Sequence, residues 1–344
     1  TVVNPAILSD AGMDFGAVFV ATCIAAAVGS LVMGVWANYP IAQAPGMGQN
    51  AFFTYGIVLG LGHTWEAALG AVFVSGIIFV ILSLLPVREW LINAIPKNLK
   101  LGISAGIGLF LGFIALKNAG VVVANPATLV TFGDIAAPGA IICLAGFALI
   151  VALTARGVTG AVIIGMLVAT ALGLAVGAAE YQGVVAAPPS LSPVLFKFDL
   201  MAVLDVSMVT VVLTMLLVDV FDTAGTLVGV SNRAGLTDSD GKLPRLGRAL
   251  LSDSTATVVG AVAGTSSTTS YIESAAGVES GGRTGLVAVT AAGLFLLCLF
   301  FAPLAQTIPA FATSAALLFV ACLMAKSLAE LEWQDLTESA PAIV

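Results

Sequence analysis

The sequence predicts an all-α polytopic membrane protein whose two halves form an inverted repeat, each half interrupted by one broken span. Composition is the first reason. Of 344 residues, 59% are hydrophobic and 9% charged, whereas a soluble domain carries about 25% charged residues. A soluble fold is excluded, and little mass is left outside a bilayer. Segmentation is the second reason. Apolar stretches fall near residues 15–37, 50–61, 66–85, 99–116, 139–155, 158–178, 205–230, 248–263, 271–278, 284–302 and 307–325. Of these, 50–61 and 271–278 are too short to cross alone. The third reason is that each short stretch follows an irregular run: GVWANYPIAQAPGMGQN at 34–50 and GAVAGTSSTTSYIESAAG at 260–277. Each is then followed by a full span ending near a proline, Pro86 or Pro303. An odd number of crossings separates the two copies, so they are inverted. Inverted repeats with broken spans at the bilayer midplane are typical of secondary transporters.

Taken in order, the opening TVVNPAILSD reads as the tail of a helix, and 15–37 as a full span. Pro40, Pro45, Gly46 and Gly48 then prevent regular helix up to about Met47. Gln49 and Asn50 follow, and their amides donate and accept hydrogen bonds at once. His63 sits in the short turn GLGHTWE and is expected to be a solvated loop residue. Gly102 and Gly106, Gly108 and Gly112, Gly173 and Gly177, and Gly260 and Gly264 have the small-xxx-small spacing that lets helices approach closely. Cys23, Cys143, Cys298 and Cys322 all lie in apolar stretches without metal-ligand spacing, and are read as buried small hydrophobes.

The apolar stretch from about Val206 to Val230 holds the run LLVDVFDTAGT. Asp219 and Asp222 are three apart, Thr223 lies four from Asp219, and Thr226 lies four from Asp222, so a helix gathers them into one polar stripe. A charged side chain at the bilayer centre costs roughly 2.5–3.5 kcal/mol, and two acids this close repel unless one holds a proton. Such a stripe must face a cavity, a partner or a substrate; the competing reading is a structural hydrogen bond to a neighbouring helix. In the second broken stretch, TSSTTS is β-favouring and rich in hydroxyls, and a helix can restart near Tyr271. Irregular backbone at membrane depth is tolerated only where it lines a cavity or is buried in protein. Glu273 then falls in the first turn of a half-helix, near its positive end. Ser270 and Glu273 also match a capping box, which is the competing structural reading.

Basic residues give the threading. If every stretch reverses the chain, Arg88, Lys97, Lys100, Arg156, Arg233, Lys242, Arg245, Arg248, Arg283 and Lys326 lie on one side, and only Lys117 and Lys197 on the other. The first side is therefore cytoplasmic. The longest loop there, SNRAGLTDSDGKLPRLGR, reads as a solvated connector. The net charge of −7 does not argue for basic partners or nucleic acid, since its distribution across the membrane matters more. A solute presenting both donors and acceptors on a planar ring would suit carboxylates, amides and free backbone groups. A purely anionic solute would be repelled.

The runs NYPIAQAPGMGQNAFF, VDVFDTAGTLVGV, GKLPRLGRALLSDSTATVVGAVAGTSSTTSYIESAAGV and GGRTG resemble the AzgA-like purine permeases. These belong to the nucleobase–cation symporter-2 group, which includes uracil and xanthine permeases. The resemblance covers nearly the whole chain. It implies fourteen spans in two inverted repeats of seven, of which this chain covers about eleven to twelve, with most of the first span absent and the thirteenth due where SAPAIV ends the chain. It implies a core domain from residues 1–97 and 201–303 and a gate domain from 98–200 and 304–344. The implied activity is import of adenine, guanine or hypoxanthine with a proton, in the bacterial inner (plasma) membrane, without a cofactor; a homodimer is allowed.

By the same likeness, the substrate carboxylates are Glu273 and one acid of the eighth span. Asp219 is preferred there, with Asp222 close behind. Independently of the likeness, two desolvated carboxylates on one face hold a proton as a unit, so proton coupling falls to Asp219 and Asp222, with Asp222 the preferred carrier. Asn50 matches a polar position of the third span, and Asp253 an acid of the transport cycle. Thr223, Thr269 and Ser270 complete the expected site. The alternatives are a transporter of another nucleobase or of an anion on the same architecture, and a membrane-embedded aspartate hydrolase. Two acids on one helical turn do not resemble a hydrolase dyad drawn from two helices. A purely structural scaffold would not need the acids.

Overall fold

The computed structural model describes residues 1–85, 97–236, 243–335, 337, 339 and 340. Pro86, Arg88 and Lys242 lie outside these, as do the side chains of Lys97 and Lys100. The architecture is mostly helical and polytopic. Among the described residues, seven helices are long and apolar enough to cross a membrane: Phe15–Ala37, Trp65–Leu84, Leu101–Asn118, Pro138–Ala155, Val206–Ala234, Leu286–Thr307 and Ala310–Glu330. The chain forms two compact units, one from Val3–Ile95 and Ala187–Ala302, the other from Pro96–Ala186 and Pro303–Val344.

In the first unit, the opening residues form α1 (Val3–Ser9). α2 (Phe15–Val32) starts where the Asp14 side chain accepts from the Ala17 amide at 2.7 Å, and continues into wider π turns over Met33–Ala37. Pro40 and Pro45 then force an extended path, giving β1 (Gln43–Pro45), a short α3 (Met47–Ala51) and a second π segment, Phe52–Val58. π segments interrupt the regular ladder and recur at functional sites. α4 (Trp65–Leu84) follows, capped by Thr64. His63 lies in the loop before it, 3.4 Å from the Ser207 hydroxyl.

After three helices and a hairpin of the second unit, the first unit resumes with α8 (Val206–Ala234) and α9 (Leu246–Ala263). Asp205 caps α8, and the Ser207 amide and hydroxyl hold its carboxyl below the ordinary carboxylate range. α8 ends at Gly235 and α9 at Gly264, both left-handed (φ 65° and 96°), the usual glycine stop. Then come β4 (Thr268–Ser270), a 3₁₀ turn Ile272–Ser274 and α10 (Ala275–Glu279). α11 (Leu286–Cys298) closes the unit with the 3₁₀ turn Leu299–Phe301.

β1 and β4 pair antiparallel, Gln43 opposite Ser270, Ala44 opposite Thr269 and Pro45 opposite Thr268. The ladder extends at both ends, from the Tyr271 amide to the Ala42 carbonyl and from the Gly46 amide to the Ser267 carbonyl, each at 3.0 Å. Around it α2 packs on α11 and α9, and α9 packs on α4. The Tyr39 hydroxyl donates to the Pro244 carbonyl and anchors the first broken stretch to the start of α9.

The second unit contains α5 (Lys97–Asn118), an exposed hairpin of β2 (Val122–Asn125) and β3 (Leu129–Phe132), α6 (Pro138–Ala155) and α7 (Ala161–Ala175). It is completed by α12 (Ala302–Thr307) and α13 (Ala310–Ala325). α13 packs on α5, α6 and α7.

The structure corrects two expectations. Gly108 and Gly112 do sit against α13, where added Cβ atoms would lie 3.0 Å from the Ala321 carbonyl and 3.2 Å from its Cβ. Gly177 and Gly264, however, hold φ of 71° and 96°, so they terminate helices instead of packing them. Cys23 and Cys143 are buried, but Cys298 is only partly so and Cys322 is exposed. An apolar stretch in a membrane helix has an outward face too, and Cys322 lies on it.

Candidate functional site

The two strands bring the broken stretches together beside the middle of α8. Asp253, four residues before Thr257 on α9, is fully buried and takes three hydrogen bonds. Its Oδ1 accepts from the Ser270 amide and the Ser270 hydroxyl, both at 2.7 Å, and its Oδ2 from the Thr223 hydroxyl at 2.6 Å. The Gln43 amide satisfies both its ends when its nitrogen donates to the Gly29 carbonyl at 3.1 Å and its oxygen accepts from the Asp253 amide at 3.2 Å. Thr223 gives its one proton to Asp253, so the Thr269 hydroxyl 2.9 Å away is the donor to Thr223. Asp253 thus ties α9, α8 and β4 into one cluster.

Ser270 therefore does not cap the following turn. Its hydroxyl is used on Asp253, and the turn begins at Tyr271 without a side-chain cap. The capping-box reading is not what this geometry forms.

Asp219 is 1% exposed. Its Oδ2 lies 3.0 Å from the Thr257 hydroxyl, which lies equally 3.0 Å from the Thr268 carbonyl. A hydroxyl has one proton and a carbonyl can only accept, so a proton on Asp219 would complete both contacts. Asp219 Oδ1 is buried and completes no hydrogen bond. Asp222 and Glu273 are exposed, and Glu273 is the charge acting most strongly on Asp222.

The polar stripe of α8 therefore splits. Asp219, Thr223 and Thr226 are buried, while Asp222 is open. Three residues turn a helix by about 300°, so Asp219 and Asp222 are displaced by about a sixth of a turn and meet different neighbours. The strongest charged neighbour of Asp219 is Asp253, not Asp222. The acids act on one another across elements as well as along the helix.

Asn50 is fully buried on α3, where its oxygen accepts from the Ser266 hydroxyl. Ser266 also approaches the Asn4 oxygen at 3.5 Å, and Asn4 donates to Thr22 at 2.6 Å and Thr265 at 2.8 Å. This network fixes the irregular backbone before β4, as burial at membrane depth requires. Besides Asn4, Thr22, Thr265 and Ser266, three further residues at the site lie outside the expected set. Thr257 is signalled only by its four-residue spacing from Asp253, and Gln43 by its place in the Pro-bounded run. Gln49 stands beside Asn50 as a second amide.

The comparisons with known proteins agree with this architecture. The model of the permease family matches residues 1–344. The chain belongs to that family. The motif likeness to the AzgA-like purine permeases is borne out by relatives. The adenine permease AdeP of Escherichia coli (strain K12) is 47% identical over 342 residues, 99% of this chain and 77% of that protein. The guanine/hypoxanthine permease PbuO of Bacillus subtilis (strain 168) is 46% identical over 351 residues, 100% of this chain and 81% of that protein.

Among solved structures, the transmembrane domain of the cyanobacterium bicarbonate transporter BicA matches with a TM-score of 0.73 at 15% identity, covering 99% of this chain and 89% of that one. The overall structure of SLC26A9 matches with a TM-score of 0.69 at 13% identity, covering 99% of this chain and 58% of that one. At these identities they share the fold. This family member is an integral membrane permease, and its relatives are named as transporters rather than enzymes.

Proposed function

We propose that this protein is a secondary active transporter that imports purine nucleobases, adenine, guanine or hypoxanthine, by proton symport across the plasma membrane, as a monomer or homodimer. The reading rests above all on Asp219, a buried carboxylate whose Oδ1 completes no hydrogen bond, beside two paired strand ends. A buried unpaired acceptor costs roughly 1–3 kcal/mol, more when charged, so a ligand N–H is its natural complement. Glu273 supplies a second acceptor from the second broken stretch, and Asp222 lies near it. Asn50, Thr223, Thr269 and Ser270 frame the site, and Asp253 holds it together through the cycle. Relatives named for adenine and for guanine and hypoxanthine support the substrate class.

Proton coupling follows from the acids. Four carboxylates crowd one end of the site, and the Thr257 contacts leave room for one proton more than the hydroxyls supply. Asp222 is the proposed carrier because it is open, next to the charge of Glu273. The full protein is taken as two inverted repeats of seven spans. Residues 1–97 and 201–303 belong to a core that carries the base, and residues 98–200 and 304–344 to a gate against which the core moves, elevator-like.

The fold likeness to a bicarbonate transporter favours one second reading, an anion carrier. The carboxylates oppose it, since they would repel an anion. Uptake of labelled hypoxanthine tests both, in competition with a panel of bases and with bicarbonate, under an imposed proton or sodium gradient. Competition by adenine or guanine and drive by protons alone support the proposal. Competition by bicarbonate only would replace it with the anion reading.

A further inference from the structure

Gln49 is 2% exposed, and neither its amide nitrogen nor its amide oxygen completes a hydrogen bond. It stands on α3, immediately after the strand ladder ends at Gly46, and its oxygen would lie 2.8 Å from a Cβ placed on Gly46. Its amide faces the Asp219 carboxylate as a hydrogen-bond donor, but the contact falls short of full hydrogen-bond geometry and leaves Asp219 Oδ1 incompletely satisfied. Three buried polar atoms, the two ends of the Gln49 amide and Asp219 Oδ1, thus lie side by side with their hydrogen bonding incomplete. Buried polar groups without partners are rare and call for an explanation. Asn50 next to it differs, since its oxygen is taken by Ser266.

Resting on the purine reading above, we propose that Gln49 is a specificity-determining residue that pairs, through both ends of its amide, with a donor–acceptor edge of the bound base, beside the N–H that Asp219 accepts. A primary amide suits this role. It pairs bidentately with the N6/N7 edge of adenine, and turned over by 180° it pairs as well with the O6 and N1–H of a 6-oxopurine. A carboxylate in its place could only accept. Gln49 therefore favours bases bearing a 6-amino or 6-oxo group over unsubstituted purine, without forcing a choice between those two groups.

The test is equilibrium binding of adenine, hypoxanthine and unsubstituted purine to the purified full chain and to Gln49→Met, which keeps the length and volume of the side chain and removes both polar atoms. The wild type is expected to prefer adenine and hypoxanthine to purine by about ten-fold or more, one or two neutral hydrogen bonds. In Gln49→Met that preference should fall to about one while purine itself still binds. Gln49→Asn, which retains the amide but withdraws it by one methylene, should keep part of the preference and serves if Gln49→Met does not fold. An unchanged preference in either variant overturns the proposal. So does an equal loss for all three ligands, which would mean that Gln49 only positions Asp219. Failure of the wild type to bind any purine would instead overturn the purine reading itself, and this inference with it, before any variant is compared.

Discussion

The two broken stretches share a backbone and differ in chemistry. Each runs from irregular chain into a three-residue strand and then into a short helix: β1 into α3, and β4 through Ile272–Ser274 into α10. The first contributes neutral amides, Gln43, Gln49 and Asn50. The second contributes hydroxyls and one acid, Thr268, Thr269, Ser270 and Glu273. The strand ladder needs only backbone, so the scaffold tolerates different side chains on its two arms. One arm can offer donor–acceptor pairs and the other an acceptor, and a ligand between them meets both kinds of group. All the formal charge comes from the second arm and the two helices α8 and α9, which makes that side sensitive to protons.

Removing Asp253 should break this comparison most severely, because Asp253 fixes β4 to α8 and α9. Asp253→Ala leaves the Ser270 amide, the Ser270 hydroxyl and the Thr223 hydroxyl buried without their acceptor. Each orphaned group costs about 1–3 kcal/mol, so thermal unfolding in detergent should show a loss of roughly 3 kcal/mol or more. A melting temperature within error of the wild type would show that the strand pair does not depend on the acid.

Asp222→Asn sharpens the comparison on its charged side. Purine binding should persist, while accumulation driven by an imposed pH gradient in proteoliposomes should be abolished. Retained proton-driven accumulation would transfer the carrier role to Asp219 or Glu273. On the neutral arm, Asn50→Ala removes the acceptor for Ser266 and should weaken purine binding several-fold, at a cost of about 1–3 kcal/mol in stability. Full retention of both would leave Asn50 without a role in the site. The smallest effect is expected far from the ladder, at the ion pair of Arg233 with Glu279, whose side chains are 62% and 67% exposed. Arg233→Ala should change stability by no more than about 0.5 kcal/mol, and a larger loss would mean that the end of α8 matters more than its exposure suggests.

Both breaks are legible in the amino-acid order. The Pro40, Pro45 and Gly46 spacing marks the first and the TSSTTS run the second, because proline and clustered hydroxyls oppose helix regardless of context. The partners of each side chain are less legible. Asp219 and Asp222 do act on each other along the helix, but the further partners of each are decided by what packs on each face, and α9 reaches Asp219 and Thr223. Ser270 and Glu273 satisfy a capping pattern. That pattern cannot reveal that Asp253, from another helix, claims the hydroxyl. Gln43 and Thr257 are hidden for the same reason, since long-range hydrogen bonds leave no mark in local spacing. Glycine spacing misleads wherever the second glycine ends its helix, as at Gly177 and Gly264.

The central claim is that a purine base is held between the two arms, with Glu273 as the acceptor of the second. The most direct measurement is the affinity of adenine and hypoxanthine for the purified wild type and for Glu273→Ala, with folding of the variant confirmed by its thermal transition. A charge-assisted hydrogen bond is worth roughly 1.5–3 kcal/mol, so the account predicts that Glu273→Ala binds both bases about ten-fold more weakly or worse. A folded Glu273→Ala protein that binds them with wild-type affinity would contradict it.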